Sequence, residues 1–249
     1  MKTHSLLAAA LILLAQGAAV RADEIKVFAS NAVRSVMDEV VPQFERASGH
    51  KLSIVYGSSN MLMDRIKGGE AADLTILTAP VIDELVAQGK VESRDRTDIA
   101  RSGLGVSVRA GAPKPDIGSV DAFKRALLNA RSVAYISTGA SGAYFVGLIE
   151  RLGIADQVKA KAKTMQGGFA GELVARGDAE LAVQQIPELM AVSGTEFAGP
   201  FPPELQSITV FSAGVFADAG QAAAARALVT FLSTPAAARV IVAKGMQPR

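Results

Sequence analysis

The stretch KLSIVYGSSNMLMDRIK, Lys51–Lys67, decides how the chain is read. It opens as an apolar run of strand length, Lys51–Tyr56, and passes directly into a helical pattern, Asn60–Lys67, that stops at Gly68-Gly69. Gly57, Ser58, Ser59 and Asn60 stand at the junction. One Ser or Asn is enough to cap a helix. Several cap-type residues in succession after a glycine suit a helix start that holds something besides itself.

The same strand-then-helix pattern continues on both sides. Upstream, Ile25–Ala29 reads as a buried strand, and Val33, Val36, Met37, Val40, Val41 and Phe44 recur at helical spacing up to a Gly49 C-cap. Pro42 inside that pattern predicts a kink or a fresh helical turn. Downstream, Asp73–Thr78 reads as a strand and Ala79–Gln88 as a helix closed by Gly89. Strands alternating with helices over short connections predict a parallel sheet with right-handed crossovers.

The alternation breaks at the charged segment Arg94–Asp98, and GLGVSVRAGAPKP (Gly103–Pro115) reads as a strand followed by a turn. A second series follows. It has a helix at Val120–Asn129 capped by Ser119, a strand at Ser132–Ser137, helices near Tyr144–Leu152 and Ala170–Arg176, and a strand at Glu180–Gln184. SGTEFAGPFPPELQ (Ser193–Gln206) reads as a polar connection, Ser207–Phe216 as a strand, and Ala222–Leu232 and Pro235–Ala243 as closing helices. The predicted fold class is α/β, in two lobes. Residues 23–104 with 208–249 form lobe 1 and residues 105–207 form lobe 2. Each lobe is expected to be a mostly parallel sheet flanked by helices. Two hinge strands join them, bending near Gly105 and Ser212. A cleft between such lobes gathers the carboxyl ends of strands and the N-termini of helices, where ligands of open parallel sheets lie.

The residues after each strand describe that cleft. SNA (Ser30–Ala32), GSSN (Gly57–Asn60) and TAP (Thr78–Pro80) follow the strands of the first series. STGASGA (Ser137–Ala143), QGG (Gln166–Gly168) and QQIPE (Gln184–Glu188) follow in the second. Hydroxyls, amides and glycines recur, and charged groups hardly appear. Glycines let backbone N–H groups approach a ligand, and hydroxyls add donors beside them. The pattern suits an anion held by neutral donors, or equally a set of plain helix caps. STGASGAY lacks GxxxxGK[ST] and its lysine, which argues against a nucleoside triphosphate. The candidate ligand-binding residues are Ser30, Asn31, Ser58, Ser59, Ser141, Gly142, Gly167 and Gln184, with Arg34 and Arg101 as further groups able to take a carboxylate.

Composition narrows the function. The chain starts with Lys2 and His4, an apolar run at Ser5–Leu14 too short to span a bilayer, and a small-x-small site at Val20–Ala22. Residues 1–22 are therefore expected to be a cleaved signal peptide, leaving a periplasmic chain from Asp23 with no membrane insertion. Cleavage removes Lys2 and Arg21 from the 26 basic side chains, which leaves them balanced against the 24 acidic ones. With no basic stripe, no Trp and three Tyr, nucleic acid is a poor partner. There is no Cys, which excludes disulfides, thiolate metal sites, a Cys nucleophile and a lipoprotein anchor. The two histidines are His4, in the leader, and His50 after a helix, so neither a His-rich metal centre nor a Ser–His pair is expected. No metal and no cofactor is predicted, and the mature chain is expected to be a monomer.

At these residues the chain resembles the periplasmic molybdate-binding proteins, which carry the type II periplasmic-binding-protein fold. The similarity runs from IKVFASNAVRSVMDEVVPQFERASGHKLSIVYGSSNMLMDRIKGGEAADLTI through GLIERLGIADQV and ELVARGDAELAV to the end of the chain. It implies two lobes that close over an oxyanion and deliver it to the permease of an ATP-driven importer. Carried over by position, one family serine falls on Ser59. The other falls on Ala32, just after Ser30 and Asn31. Second-lobe contacts fall on Ser141 and near Gly167, and the family's tyrosine falls near Gln184. The departures at Ala32 and Gln184 turn attention from molybdate to a larger anion such as a carboxylate. Some relatives look like aconitate isomerases, which shift a double bond without a cofactor. That chemistry needs a base in reach of carbon, for which Glu188, Tyr144 and Tyr135 are the candidates, although a helix-start acid and packing tyrosines explain them equally well. Oxyanion capture predicts a small neutral cleft; a tricarboxylate site predicts two or more arginines inside it.

Overall fold

The computed structural model describes residues 24–249, so the segment read as a signal peptide lies outside the described residues. The first series builds β1 (Glu24–Ser30), a 3-10 turn (Asn31–Val33), α1 (Arg34–Ser48), β2 (Lys51–Gly57), α2 (Ser59–Lys67), β3 (Leu74–Thr78) and α3 (Ala79–Ala87). A long strand β4 (Val91–Ser102) leads to β5 (Leu104–Arg109). Then come α4 (Val120–Asn129), β6 (Val133–Ile136), α5 (Ala140–Arg151), α6 (Ala155–Lys159), β7 (Ala162–Met165), α7 (Gly171–Arg176), β8 (Leu181–Gln185), α8 (Ile186–Met190) and β9 (Thr195–Pro200). The chain closes with β10 (Thr209–Phe216), α9 (Ala222–Leu232), α10 (Pro235–Ala243) and a short β11 (Gln247–Pro248).

These strands form two sheets. The first has the order β11-β4-β10-β3-β1-β2 and the second β7-β6-β8-β5-β9. The halves made of consecutive strand–helix units, β2-β1-β3 and β7-β6-β8, are parallel. Antiparallel strands complete each sheet where the chain passes to the other lobe or returns from it. Each sheet carries apolar side chains on both faces. Ile25, Val27, Phe44, Phe211 and Leu228 pack on one side of the first, and Phe28, Leu62, Leu77, Leu85 and Phe216 on the other. Phe123, Phe145 and Phe201 fill the second sheet's larger core. Buried on both faces, β3 reads as an unbroken apolar-and-Thr run, LTILT.

Local differences from the sequence reading have physical causes. α1 runs unbroken through Pro42, because Pro42 faces solvent and water can satisfy the carbonyl its missing N–H leaves free. The helix ends where Gly49 takes φ +78°, a left-handed C-cap. The charged segment at 94–98 is the middle of β4, not a break. Its charges pair sideways: Arg96 with Asp83 at 2.6 Å and Asp98 at 2.8 Å, and Arg226 with Asp95 at 2.8 Å. Within the polar connection, Thr195–Pro200 forms the edge strand β9, irregular opposite Val106 and Ser107.

The chain crosses between the sheets at Gly103, and again between Pro200 and Thr209. Gln206 ties the two crossings together. Its Oε1 accepts from Leu104 N at 2.7 Å and its Nε2 donates to Leu104 O at 3.0 Å. Ser212, expected near a bend, instead lies mid-strand in β10, paired to β3 and β4, with Oγ donating to Asp98 Oδ1 at 2.7 Å. Gly105 is likewise paired on both sides, to Gln184 and Pro200. Both residues thus lie within paired strands, while the chain passes between the sheets at Gly103 and through residues 201–208.

Candidate functional site

The strand ends of the two sheets meet. β1 ends at Ser30, β2 at Gly57 and β3 at Thr78; from the second sheet, β6 ends at Ile136 and β8 at Gln185. One small pocket lies among them. From the first sheet and the turns that follow it, it is lined by Ser30, Asn31, Ala32, Ser58, Ser59, Thr78 and Phe211. The second contributes Ile136, Gly139, Ala140, Ser141, Gly168, Gln184, Gln185 and Glu188. Asn60 Nδ2, at the start of α2, reaches across to Thr138 O at 3.4 Å, so the two sides of the pocket are in contact.

Each lining hydroxyl has a local reason to be there. Ser30 Oγ accepts from Ala32 N at 3.3 Å and starts the 3-10 turn. Ser58 is the N-cap of α2, its Oγ accepting from Met61 N at 3.3 Å. Ser59 is different. Its buried Oγ accepts from Thr78 N at 3.1 Å, a bond from one helix start to the next. Accepting from Thr78 N uses one of the hydroxyl's two lone pairs and leaves the Ser59 O–H proton available to donate elsewhere. Ser141 is buried in the first turn of α5, whose N-cap Gly139 supplies no side-chain cap. The N-termini of α2, α3 and α5 all open on the pocket, where free N–H groups and the positive dipole ends favour an anion. Among the described residues, no Lys, Arg or His lines it.

Of the residues singled out from sequence, Ser30, Asn31, Ser58, Ser59, Ser141 and Gln184 come together here. The others do not line the pocket. Gly142 lies just behind it; a Cβ there would sit 1.8 Å from Ile136 O, so the glycine lets α5 start against the end of β6. Gly168, not Gly167, lines the space. Arg34 points to an outer groove, near Asp38 at 3.9 Å and over the Tyr56 ring at 5.1 Å. Arg101 is exposed on β4, beside Val210 and Gln247. Both arginines leave the pocket because they face outward from the first lobe. Gln184 lines the pocket with its amide already occupied: Oε1 accepts from Ala170 N at 2.7 Å and Nε2 donates to Gly168 O at 3.1 Å. It holds the loop that forms one wall.

Three polar side chains on the lining were not in the sequence set of ligands. Thr78 ends β3 and could have been read from TAP. Gln185 is buried, donates from Nε2 to Thr209 Oγ1 at 2.8 Å, and leaves its Oε1 without a partner. Glu188 is the only ionisable side chain among the described lining residues. Its Oε2 accepts from Gln185 N at 3.3 Å. Burial pushes its pKa up to about 8, against the smaller opposing pull of hydrogen bonds from Gln185 and Gln184. Tyr135 and Tyr144, the other candidate bases, are packing groups. Tyr135 lies against Phe145 at 5.3 Å, and Tyr144 donates to Leu205 O at 3.0 Å. His50 stacks on Phe44 at the end of α1, away from the pocket.

Residues 25–247 match the model of a family described as bacterial extracellular solute-binding protein. The chain belongs to that family. Among curated relatives, an aconitate isomerase from a Pseudomonas species is 36% identical over 230 residues, covering 90% of this chain and 87% of the relative. The molybdate-binding protein ModA of Azotobacter vinelandii is 27% identical over 238 residues, covering 91% of each. The solved Azotobacter vinelandii periplasmic molybdate-binding protein superposes with a TM-score of 0.75 at 21% identity, covering 89% of this chain and 98% of that one. The type II periplasmic-binding-protein fold expected from sequence is thus the fold of this solute-binding protein.

Proposed function

We propose that this solute-binding protein captures a small anion in the pocket between its two sheets, in the periplasm, and presents it to the permease of an ATP-driven importer. One observation carries the reading. Strand ends from both sheets bring hydroxyls and three helix N-termini to a single space that, among the described residues, contains no cationic side chain. Neutral donors fixed by the fold stabilise a negative charge without the reorganisation that flexible lysines or arginines require. The absence of arginine is the outcome that favours oxyanion capture over a site made of guanidinium forks.

A second reading is conversion of an unsaturated polycarboxylate in the same pocket. It is favoured by the buried carboxyl of Glu188 at the pocket wall and by the 36% identity to an aconitate isomerase. A thermal-shift panel of molybdate, tungstate, sulfate, citrate, cis-aconitate and trans-aconitate tests the anion reading. A ligand bound only by the folded state raises the melting temperature by mass action. At least one anion should do so, and a flat response to all six at millimolar concentration contradicts the proposal.

A further inference from the structure

We propose that Glu188 is the single acid–base group of an allylic proton shift carried out in this pocket on an unsaturated di- or tricarboxylate. The inference rests on the second reading above, with the carboxylates met by hydroxyls and helix N–H groups in place of the arginines expected of such a site, and it names the catalytic residue. Glu188 sits where β8 passes into α8, its carboxyl buried at the pocket wall opposite the helix starts of the first lobe. It is the one lining side chain able to take a proton from carbon and return it.

Glu188 closes a capping box with Gln185 at the start of α8, and pure capture of an oxyanion gives its carboxyl no use beyond that. Ionised, it would repel the guest; neutral, it adds one more donor to a wall already rich in hydroxyls. As a base it has a clear use. Held at about pKa 8, it matches the range in which a general base works near neutral pH, being basic enough to attack a C–H bond yet partly ionised. The charged groups on the elements packed around α8 are Arg34, Asp38, Glu39, Glu45 and Arg46 on α1, Lys244 after α10, Arg109 on β5 and Glu196 on β9. None is among the causes of its shift. Arg109 and Glu196 lie at the far end of their strands from Gln185, and Asp38 and Lys244 line an outer groove.

The step balances within the substrate. The Glu188 carboxylate removes a proton from the CH2 between a carboxylate and the C=C bond. The C–H electron pair forms a new C=C bond, and the displaced π pair moves toward the far carbon, its charge spread into that carbon's carboxylate. Ser59, Ser141 and the helix N–H groups face that developing charge. The Glu188 acid then gives its proton to the far carbon. The double bond has moved one position, with no net proton, oxidant or cofactor consumed.

The test follows trans- and cis-aconitate with the mature chain by proton NMR in D2O. Wild type should interconvert them, placing deuterium at the migrating positions. Its kcat/KM should rise with pH and level off above about 8 as Glu188 ionises. Glu188→Gln keeps an acceptor for Gln185 N and should lower turnover by roughly 100-fold or more, while the thermal shift given by the same acids persists. Glu188→Asp, a further guard against misfolding, should retain a small fraction of turnover and a rising pH profile. Wild-type turnover in a folded Glu188→Gln overturns the assignment of Glu188 and leaves the isomerase reading standing. Binding of the acids to wild type without turnover overturns the isomerase reading and this proposal with it, and leaves anion capture intact.

Discussion

Replacing Ser59 by Ala probes the anion pocket at its most informative hydroxyl. Ser59 Oγ accepts from Thr78 N at 3.1 Å and lines the pocket in a buried position. The substitution therefore removes two things: a donor to the guest, and the acceptor that satisfies the N–H at the start of α3. Loss of a hydrogen bond to a buried charge is worth about 1–3 kcal/mol, or roughly 5–150-fold in affinity. The stranded Thr78 N–H then has only the anion to turn to, which partly offsets the loss and places the expected effect in the lower half of that range. Without ligand, the same N–H is left unpaired and unfolding should become easier by about 1 kcal/mol. Calorimetric titration of the best anion gives the first quantity and urea unfolding of the ligand-free chain the second. Unchanged affinity together with unchanged stability would refute the reasoning, since the pocket and the Thr78 bond would then both be misassigned.

Other perturbations address the packing and charge around the pocket. Gly142→Ala puts a methyl 1.8 Å from Ile136 O and should destabilise the chain by about 1–3 kcal/mol, lowering the thermal midpoint by several degrees. Gln206→Ala removes both bonds to Leu104 and should lower urea-unfolding stability by about 1–3 kcal/mol, with Gln206→Glu recovering only the bond from Leu104 N. Glu188 makes folding pH-dependent. Its pKa is raised from an ordinary 4.5 to about 8, so its contribution is fully present below pH 4.5 and is lost as pH rises through 8. Glu188→Gln should flatten that window of the stability–pH curve.

The fold was legible because its signals are local and repeated. Glycines end α1 and α3, and apolar runs of strand length alternate with helical spacing through both series. The strands that were missed, β4, β7, β9 and β11, carry little apolar pattern. β4 lies between β10 and the short β11, its charges paired with neighbours at the surface, and β9 is an edge strand holding Gly199 and Pro200. Such strands are fixed by their partners across the sheet, which a single sequence does not display. The same division holds in the pocket. Ser30, Ser58, Ser59 and Ser141 could be read from helix starts. That Gln184 spends its amide on the Gly168–Ala170 loop, while Gln185 and Glu188 face the space between lobes, depends on how β8 meets the first lobe. Arg34 and Arg101 show the converse: their charge drew attention, but both project outward.

The most direct measurement is calorimetric titration of the strongest thermal-shift anion into wild type and into a Ser59→Ala, Ser141→Ala double variant. One anion per chain, bound at least tenfold more weakly by the double variant, is the predicted result. Binding of equal strength in both proteins would contradict an anion held between the lobes by these uncharged donors.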